Sequence, residues 1–326
     1  MPVLPSSQYA PPVLLRNGHA QTIFPVLFRN PPPVRPRTER METPDGDFLD
    51  LDWHQAGRQP SNRLAIVSHG LEGNSRRKYV LGMVTALNRR GWDVLAWTMR
   101  GCGHEPNRLL PSYHSGFTDD LRHLLSHVLN ARDKIDVALV GFSIGANQIL
   151  KYLGEEPERV PPQVARAVAI SVPCDLSATA IRMKRAQNRI YTEYLLRSLR
   201  RKIWQKSERF RSELDVSGLD AISTFDEFDE RYTAPMHGFA GSAEYYRLAS
   251  CKPFLEAVRV PSLILNATDD PMLSPESIPH AEATANPNLF LETPKHGGHV
   301  GFVDFANGGE YYSEYRACEF LDGGSP

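Results

Sequence analysis

The sequence contains little cysteine, and its four cysteines are far apart in the chain. The four are Cys102, Cys174, Cys251 and Cys318. No two of them have the C-x-x-C spacing of a zinc or redox pair, so the sequence predicts neither a structural zinc site nor a disulfide scaffold. This cysteine usage favours a reducing cytoplasm as the location.

Long apolar runs and a large net charge are also missing. No run approaches the roughly 20 apolar residues that span a bilayer. The beginning of the chain, Met1–Ser7, has neither the charged nor the apolar part of a signal peptide. The 37 basic and 38 acidic residues leave a net charge of −1, which gives no reason to expect nucleic acid as a partner. We therefore expect a soluble cytoplasmic protein without stable membrane insertion.

What the chain does contain is a buried-type strand that ends in a G-x-S-x-G turn. Val137–Val140 is a short apolar run, and the pentapeptide Gly141–Gly145 interrupts it. Small residues around a serine suit a sharp strand-to-helix turn that projects the hydroxyl. Ser143 is therefore the candidate nucleophile, and the N–H groups that begin the following helix, Ile144 among them, would face an oxyanion. An idle serine in a surface turn is the alternative.

A second strand–loop–helix unit lies upstream of this turn. Arg63–Ser68 is a buried-type strand that runs into His69–Gly73, with the sequence His-Gly-Leu-Glu-Gly, and a helix is predicted from about Lys78 to Arg90. In hydrolases with a serine elbow, this arrangement supplies the second backbone donor of the oxyanion hole. The N–H of Leu71 would be that donor. A tight turn without a further role is the alternative.

An acidic loop follows a later strand, Ser262–Asn266. The residue that orients the histidine of an elbow hydrolase stands in such a loop, downstream of the serine. Asp269 and Asp270 compete for this position. We favour Asp270, which precedes a Pro-Met-Leu segment, and expect Asp269 to bind backbone or cap a turn.

The last predicted strand, Leu289–Glu292, leads to a glycine-rich loop with two histidines. His299 directly follows the loop glycines and is favoured over His296. The order Ser143, Asp270, His299 along the chain is the order found in elbow hydrolases. The sequence therefore predicts a Ser-Asp-His triad at these positions.

The remaining runs alternate between strand and helix. A hairpin is predicted over Arg40–Gln55, strands over Asp93–Thr98 and Arg166–Val172, and a helix over about Phe117–Ala131. Such alternation predicts an α/β fold with a mostly parallel, doubly wound sheet. Four histidines lack a metal-like arrangement and are interpreted as solvated or structural; they are His104, His114, His123 and His127.

The first 37 residues carry nine prolines, which disfavour a regular helix or a central strand. We interpret residues 1–37 as an arm laid on the rest of the chain. The arm contains the polar run Asn17–Pro25. His19 within it could belong to a site, but a histidine tied into a loop by hydrogen bonds is the favoured interpretation.

The pattern changes between about residues 174 and 254, which we interpret as a helical cap. Arg182–Arg211 has eleven Lys or Arg and apolar residues at intervals of four, typical of an amphipathic helix or helix pair. Its basic face could meet anionic lipid, but a solvated face is favoured because the apolar positions would be consumed in covering the sheet edge. We therefore expect no binding to anionic liposomes. An apolar wall for the acyl chain is expected from Tyr191, Tyr194, Phe225 and Phe239.

Six motifs together resemble the YheT-like family of α/β hydrolases, which includes yeast medium-chain ethanol acyltransferase/esterases and mammalian phospholipase-like members. They are, in chain order, Asn-Gly-His-Ala-Gln-Thr, His-Gly-Leu-Glu-Gly-Asn, Gly-Phe-Ser-Ile-Gly-Ala-Asn, Phe-Asp-Glu-Arg-Tyr-Thr-Ala-Pro-Met-His-Gly-Phe, Asp-Asp-Pro and His-Gly-Gly-His-Val-Gly-Phe. The likeness runs from about Asn17 to the final helix. It implies a serine esterase triad at Ser143, Asp270 and His299. Ala146 departs from the pattern, since many relatives have glycine there; alanine suits a helix and leaves this implication intact.

The sequence thus predicts one α/β-hydrolase domain over residues 1–326, with an arm at about 1–37 and a cap insertion at about 174–254. The predicted activity is that of a serine carboxylesterase acting on small acyl esters of short to medium chain length, without a metal or other cofactor. Transfer of the acyl group to an alcohol and hydrolysis of lipid acyl groups are alternatives on the same site. A non-catalytic binding protein on a hydrolase fold is the alternative from another class.

Overall fold

Eight strands form a single sheet in the computed structural model, which describes residues 3–4, 7–132, 134–305 and 308–324. The strands are β1 Arg37–Glu42, β2 Phe48–His54, β3 Arg63–Ser68, β4 Asp93–Thr98, β5 Asp136–Phe142, β6 Val164–Ile170, β7 Ser262–Leu265 and β8 Leu289–Glu292. Their order across the sheet is β1-β2-β4-β3-β5-β6-β7-β8. The hairpin β1–β2 and the pair β2–β4 are antiparallel, and all other neighbours are parallel. The predicted mostly parallel sheet is confirmed.

Helices cover both faces of this sheet. They are α1 Gly18–Phe28, α2 Lys78–Arg89, α3 Asp119–Ala131, α4 Ile144–Glu155, α5 Leu176–Met183, α6 Arg189–Ser207, α7 Phe225–Phe228, α8 Ala234–Met236, α9 Ser242–Ala249, α10 His280–Ala285 and α11 Tyr312–Leu321. Apolar side chains of α3 and α4 are buried in the core on one face, and those of α2 and α11 in the core on the other. The β3–β8 strands are apolar because both of their faces are covered. Within the described ranges, no helix combines the length and apolar character needed to cross a bilayer.

Residues 174–254, here called the cap segment, lie between β6 and β7 in the chain. Apolar side chains of α6, α7 and their connecting loops form one small core, and those of α5 and α9 form another. The predicted helix or helix pair over Arg182–Arg211 corresponds to the end of α5 and to α6. The division of the chain into domain, arm and cap stays a prediction.

The arm contains a regular helix, α1, where the proline content led us to expect none. Most of the prolines lie before or after residues 18–28, and only Pro25 falls inside the helix. Asn17 begins the helix by accepting a hydrogen bond from the Ala20 N–H through its side chain. Pro25 removes only one N–H from the helix, which ends within a turn of it. The prediction was therefore wrong for residues 18–28, because it counted prolines without regard to their positions.

Candidate active site

Ser143 stands at the turn between β5 and α4 in a conformation that few non-glycine residues adopt. Its backbone has φ 52° and ψ −121°. The flanking glycines are required by close packing: a Cβ on Gly141 would lie 2.5 Å from Ala146 Cα, and a Cβ on Gly145 would lie 2.4 Å from the backbone oxygen of His69. The turn is therefore a nucleophile elbow in geometry as well as in sequence.

The structure brings Ser143, His299 and Asp270 together in one chain of hydrogen bonds. His299 Nε2 lies 3.0 Å from Ser143 Oγ, and His299 Nδ1 lies 2.8 Å from Asp270 Oδ2. The other carboxylate oxygen, Asp270 Oδ1, accepts N–H groups from Met272 and Leu273 at 2.8 and 3.2 Å. Because these backbone groups fix the carboxylate, Asp270 can hold the imidazole in one orientation.

Asp269 and His296, the alternatives to Asp270 and His299, contact the His299 loop and each other. Asp269 Oδ1 accepts the Gly298 N–H at 2.9 Å, and its Oδ2 lies 3.2 Å from His296 Nδ1. These contacts support the loop that holds His299. Neither Asp269 nor His296 has a hydrogen bond to Ser143 among the described contacts.

Two backbone N–H groups are available beside the serine. Gly70 packs against it, since a Cβ at Gly70 would lie 3.2 Å from Ser143 Cβ, and this places the next residue, Leu71, at the same cavity. Ile144 begins α4, where the first N–H groups have no partner within the helix. No hydrogen bond from the N–H of Leu71 or Ile144 to a described residue is found. Both groups can therefore donate to a ligand oxygen.

An ion pair between the buried carboxylate of Glu72 and the partly buried Lys202 joins the Leu71 loop to the cap segment. Glu72 has a positive φ of 55°, and its carboxylate lies 2.6 Å from Lys202 Nζ of α6. Ser198 of α6 and Tyr113 donate hydrogen bonds to the same carboxylate at 2.6 and 2.9 Å. All four polar groups are thus satisfied, as a buried charge requires. The Glu72 carboxylate therefore links α6 to the residue that follows Leu71, a predicted oxyanion donor.

His69, the first residue of this loop, has a structural role. Its Nε2 accepts the Met99 N–H at 3.1 Å, so its Nδ1 carries the proton and donates to the Gly70 oxygen at 2.7 Å. Burial lowers the pKa of His69 to about 4, and the imidazole is neutral at pH 7. His69 shapes the loop and does not face the cavity.

The arm supports the His299 loop through residues that were not predicted to belong to the site. The Thr22 hydroxyl donates to the Gly18 oxygen at 2.7 Å and accepts the His299 N–H at 2.9 Å. A Cβ on Gly18 would lie 1.9 Å from the Asp269 oxygen, so only glycine fits there. His19, at the same end of α1, bonds through Nδ1 to the Tyr191 hydroxyl at 2.9 Å. The favoured interpretation of His19 as hydrogen-bonded is correct, although it lies in a helix.

Non-glycine residues with positive φ angles are concentrated around the proposed active site. Among the described residues, five that are not glycine have positive φ: Glu72, Ser143, Ser171, Val300 and Phe302. Glu72 follows Leu71, Ser143 is the serine of the elbow, and Val300 and Phe302 follow His299. Ser171 contacts the His299 loop, because its Oγ accepts the Val300 N–H at 2.9 Å. Strained backbone of this kind is typical of functional sites.

A cavity of about 420 Å³ lies between the cap segment and the loops at the carboxyl ends of the strands, and Ser143 and His299 line it. Its walls are mainly apolar, with Leu195, Leu199 and Phe225 among them. Of the four aromatic residues expected to form the acyl wall, Tyr194 and Phe225 line the cavity. Tyr191 and Phe239 do not.

The Tyr191 hydroxyl bonds to His19 instead, and Phe239 packs edge-on against His114 and in a tilted contact against Tyr245. His114 was interpreted as solvated or structural, but it lines the cavity together with His237, whose ring lies 4.6 Å away. Burial lowers the pKa of His237 to about 4, and that of His114 falls well below its usual value. Both rings are therefore neutral cavity walls. No spacing pattern in the sequence joins positions 114 and 237, so only the fold could reveal them.

The described residues contain no group of three or more His, Cys, Asp or Glu side chains placed to hold a metal ion. All four cysteines are free and buried.

Comparisons with known proteins agree with the fold described above. A family profile described as the alpha/beta hydrolase fold matches residues 66–306. The chain is 36% identical over 301 residues to the provisionally named esterase YheT of Escherichia coli, an alignment that covers 91% of this chain and 88% of that protein. It is 30% identical over 304 residues to the human protein named phospholipase ABHD3, covering 91% and 74% of the two chains.

A solved structure of the esterase Pf2001 from Pyrococcus furiosus resembles the chain with a TM-score of 0.60. The two are 17% identical, and the match covers 89% of this chain and 90% of that one. At this identity the likeness shows the fold alone.

Proposed function

This chain belongs to the α/β-hydrolase family and is a hydrolase of ester bonds, and we propose that it is a serine carboxylesterase for short- to medium-chain acyl esters. Ser143 is the proposed nucleophile, His299 the general base and acid, and Asp270 the residue that orients the imidazole. The N–H groups of Leu71 and Ile144 are the proposed oxyanion hole. The observation that carries the proposal is the hydrogen-bonded chain from Asp270 through His299 to Ser143, which ends inside an apolar cavity.

Acylation begins when Ser143 Oγ attacks the ester carbonyl carbon while His299 Nε2 takes the hydroxyl proton. The carbonyl oxygen becomes an oxyanion, and the two backbone N–H groups stabilise it. Collapse of the tetrahedral intermediate breaks the bond to the alcohol oxygen. His299 gives its proton to that oxygen, and the alcohol leaves an acyl group on Ser143.

Deacylation repeats these steps with water. His299 Nε2 takes a proton from water, the hydroxide adds to the acyl carbon, and the bond to Ser143 Oγ breaks. His299 returns the proton to Ser143, and the carboxylic acid leaves. The carboxylate of Asp270 stabilises the imidazolium in both halves without taking the proton.

The test combines covalent labelling with turnover of p-nitrophenyl esters. A fluorophosphonate probe should label Ser143 in the native chain and should not label Ser143→Ala. That substitution and His299→Ala should each lower kcat by several orders of magnitude, and the double variant should add little because the two residues act as a unit. Labelling at another residue, or substantial turnover by Ser143→Ala, would end the proposal.

Hydrolysis of lipid acyl groups is a second candidate on the same site. The largely apolar cavity favours it, because apolar walls of this extent can bury an acyl chain. The relative named as a phospholipase gives further support. Acyl transfer uses the same acyl-enzyme with an alcohol in place of water, so product analysis in the presence of ethanol separates transfer from hydrolysis.

A further inference from the structure

Large apolar side chains are exposed at the end of α1 and on the neighbouring part of α6. The end of α1 exposes Val26, Leu27 and Phe28, each by more than 60%. On α6, Ile190 is 66% and Tyr194 is 61% exposed. These five residues are here called the rim patch.

Two residues of the rim patch lie at the opening of the cavity. Val26 and Tyr194 both line the cavity and are mostly exposed, so they mark the place where it meets the solvent. Lys78 at the beginning of α2 donates a hydrogen bond to the Val26 oxygen at 2.8 Å and fixes the end of α1 at this opening. The opening between α1 and α6 therefore offers a substrate a path to Ser143.

Unpaired positive charge accompanies the α6 part of the rim patch. Glu193, which lies between Ile190 and Tyr194 in the chain, is held in an ion pair by Arg200. Arg189 and Arg197 of α6 are exposed next to the patch in the chain, and neither has an ion-pair partner among the described residues. Exposed apolar side chains flanked by unpaired cations are typical of surfaces that bind anionic lipid.

We propose that the rim patch docks reversibly on a lipid surface with anionic headgroups and so holds the cavity opening against that surface. The inference rests on the proposed esterase function. A second copy of the chain or another protein seated on the patch would cover the opening through which the ester enters, whereas a lipid layer can supply the ester through it. The position of the patch therefore favours lipid as the occupant.

Docking would be shallow and reversible. The patch consists of a few side chains at one helix end and on one helix face, which can enter the headgroup region while both helices stay packed. From the sequence we expected no such binding, because the apolar residues of the basic cap helix would be consumed in packing. Ile190 and Tyr194 are not among the packed ones.

The experiment measures flotation of the full chain with vesicles of phosphatidylcholine containing phosphatidylglycerol. The double variant Leu27→Ser, Phe28→Ser removes two apolar side chains that do not line the cavity, so we expect at least about a tenfold loss of vesicle binding. Its turnover of a water-soluble p-nitrophenyl ester should be unchanged. Leu248→Ser on α9, at another exposed apolar position, is the matched control and should bind like the native chain.

Salt dependence tests the electrostatic part. Arg189→Gln with Arg197→Gln should weaken binding to anionic vesicles and should reduce its sensitivity to salt. Failure of the native chain to float, or equal binding by the Leu27/Phe28 variant, would overturn the proposal. If the native chain forms a dimer and the Leu27/Phe28 variant is a monomer, the occupant of the patch is a second copy of the chain. That result would also overturn the proposal. Flotation involves no turnover, so its result stands apart from that of the labelling experiment.

Discussion

Two hydrogen bonds fix the position of His299, one to its side chain and one to its backbone. Its side chain bonds to Asp270, and its backbone N–H bonds to the Thr22 hydroxyl of the arm. The adjacent Asp269 supports the same loop through the Gly298 N–H. Two consecutive carboxylates thus act on one histidine loop, one on the imidazole and the other on the backbone.

This difference predicts unequal effects of two matched substitutions. Asp270→Asn should lower kcat by about 10³ to 10⁴, because an amide neither holds the required tautomer nor stabilises the imidazolium. Asp269→Asn keeps an oxygen that can accept the Gly298 N–H, so its effect should be much smaller. Ester turnover and thermal unfolding of both variants provide the measurement. A larger kcat loss for Asp269→Asn would exchange the two roles.

At the scale of elements, the Glu72–Lys202 ion pair connects α6 with the loop that contains Leu71. Glu72→Gln should lower kcat about tenfold or more and change KM little, because an oxyanion donor acts mainly in the transition state. Lys202→Met should have a similar effect, and the double variant should be no worse than either. Steady-state kinetics and the affinity for a boronic acid transition-state analogue give the measurement.

The control for that pair is Lys184→Met, which removes an ion pair with Asp226 elsewhere in the cap segment. It should leave kcat unchanged. An equal kcat loss in the control, or a Glu72→Gln variant that changes only thermal stability, would show that the pair has no positioning role.

The cap helices also set the shape of the cavity. Phe225 lines it and Phe239 does not. Phe225→Ala should shift the preference towards longer acyl chains by about tenfold in relative kcat/KM, because it enlarges the wall. Phe239→Ala should lower stability without such a shift. Profiles of p-nitrophenyl esters from acetate to decanoate provide the measurement, and a shift with Phe239→Ala alone would contradict the assignment.

For the molecule as a whole, the half-buried carboxyl of Asp229 should make the stability of the fold depend on pH. Burial raises the pKa of Asp229 to about 6, from 3.8 for a free side chain. The fold therefore favours the neutral carboxyl, and its contribution to stability is full below pH 3.8 and is lost as pH rises through about 6. Tyr246 donates a hydrogen bond to this carboxyl at 2.7 Å.

Asp229→Asn should consequently raise the free energy of unfolding by on the order of 2 kcal/mol at about pH 7.5 and by little at about pH 4. Denaturant unfolding at both pH values is the measurement. The exposed Asp220→Asn serves as the control and should show no such difference. Equal effects of Asp229→Asn at both pH values would contradict the prediction.

Whole-chain charge describes this molecule poorly. The net charge of −1 is a sum over the whole chain, and the first 38 residues contain no Asp or Glu. Because screening limits electrostatic attraction to about 10 Å at moderate salt, a ligand near α1 experiences the local charge rather than the sum. The rim patch could not be found from composition for this reason.

The strands and the elbow could be predicted from the sequence. β8 was predicted with its observed bounds, Leu289–Glu292, and β4 likewise, because both are short apolar runs bounded by polar or turn residues. The turn at Ser143 could be predicted because its two glycines are required by local contacts within or beside the same unit. Such information lies within a few residues along the chain.

Contacts between residues far apart in the chain became known from the folded chain alone. Thr22 contacts the His299 loop across 277 residues of sequence, and Glu72 contacts Lys202 across 130. The same holds for the cavity walls, where His114 and His237 stand in place of the expected Tyr191 and Phe239. Helix periodicity predicts which side chains share a face, but the neighbour of that face depends on how the helix packs, and this is a property of the whole fold.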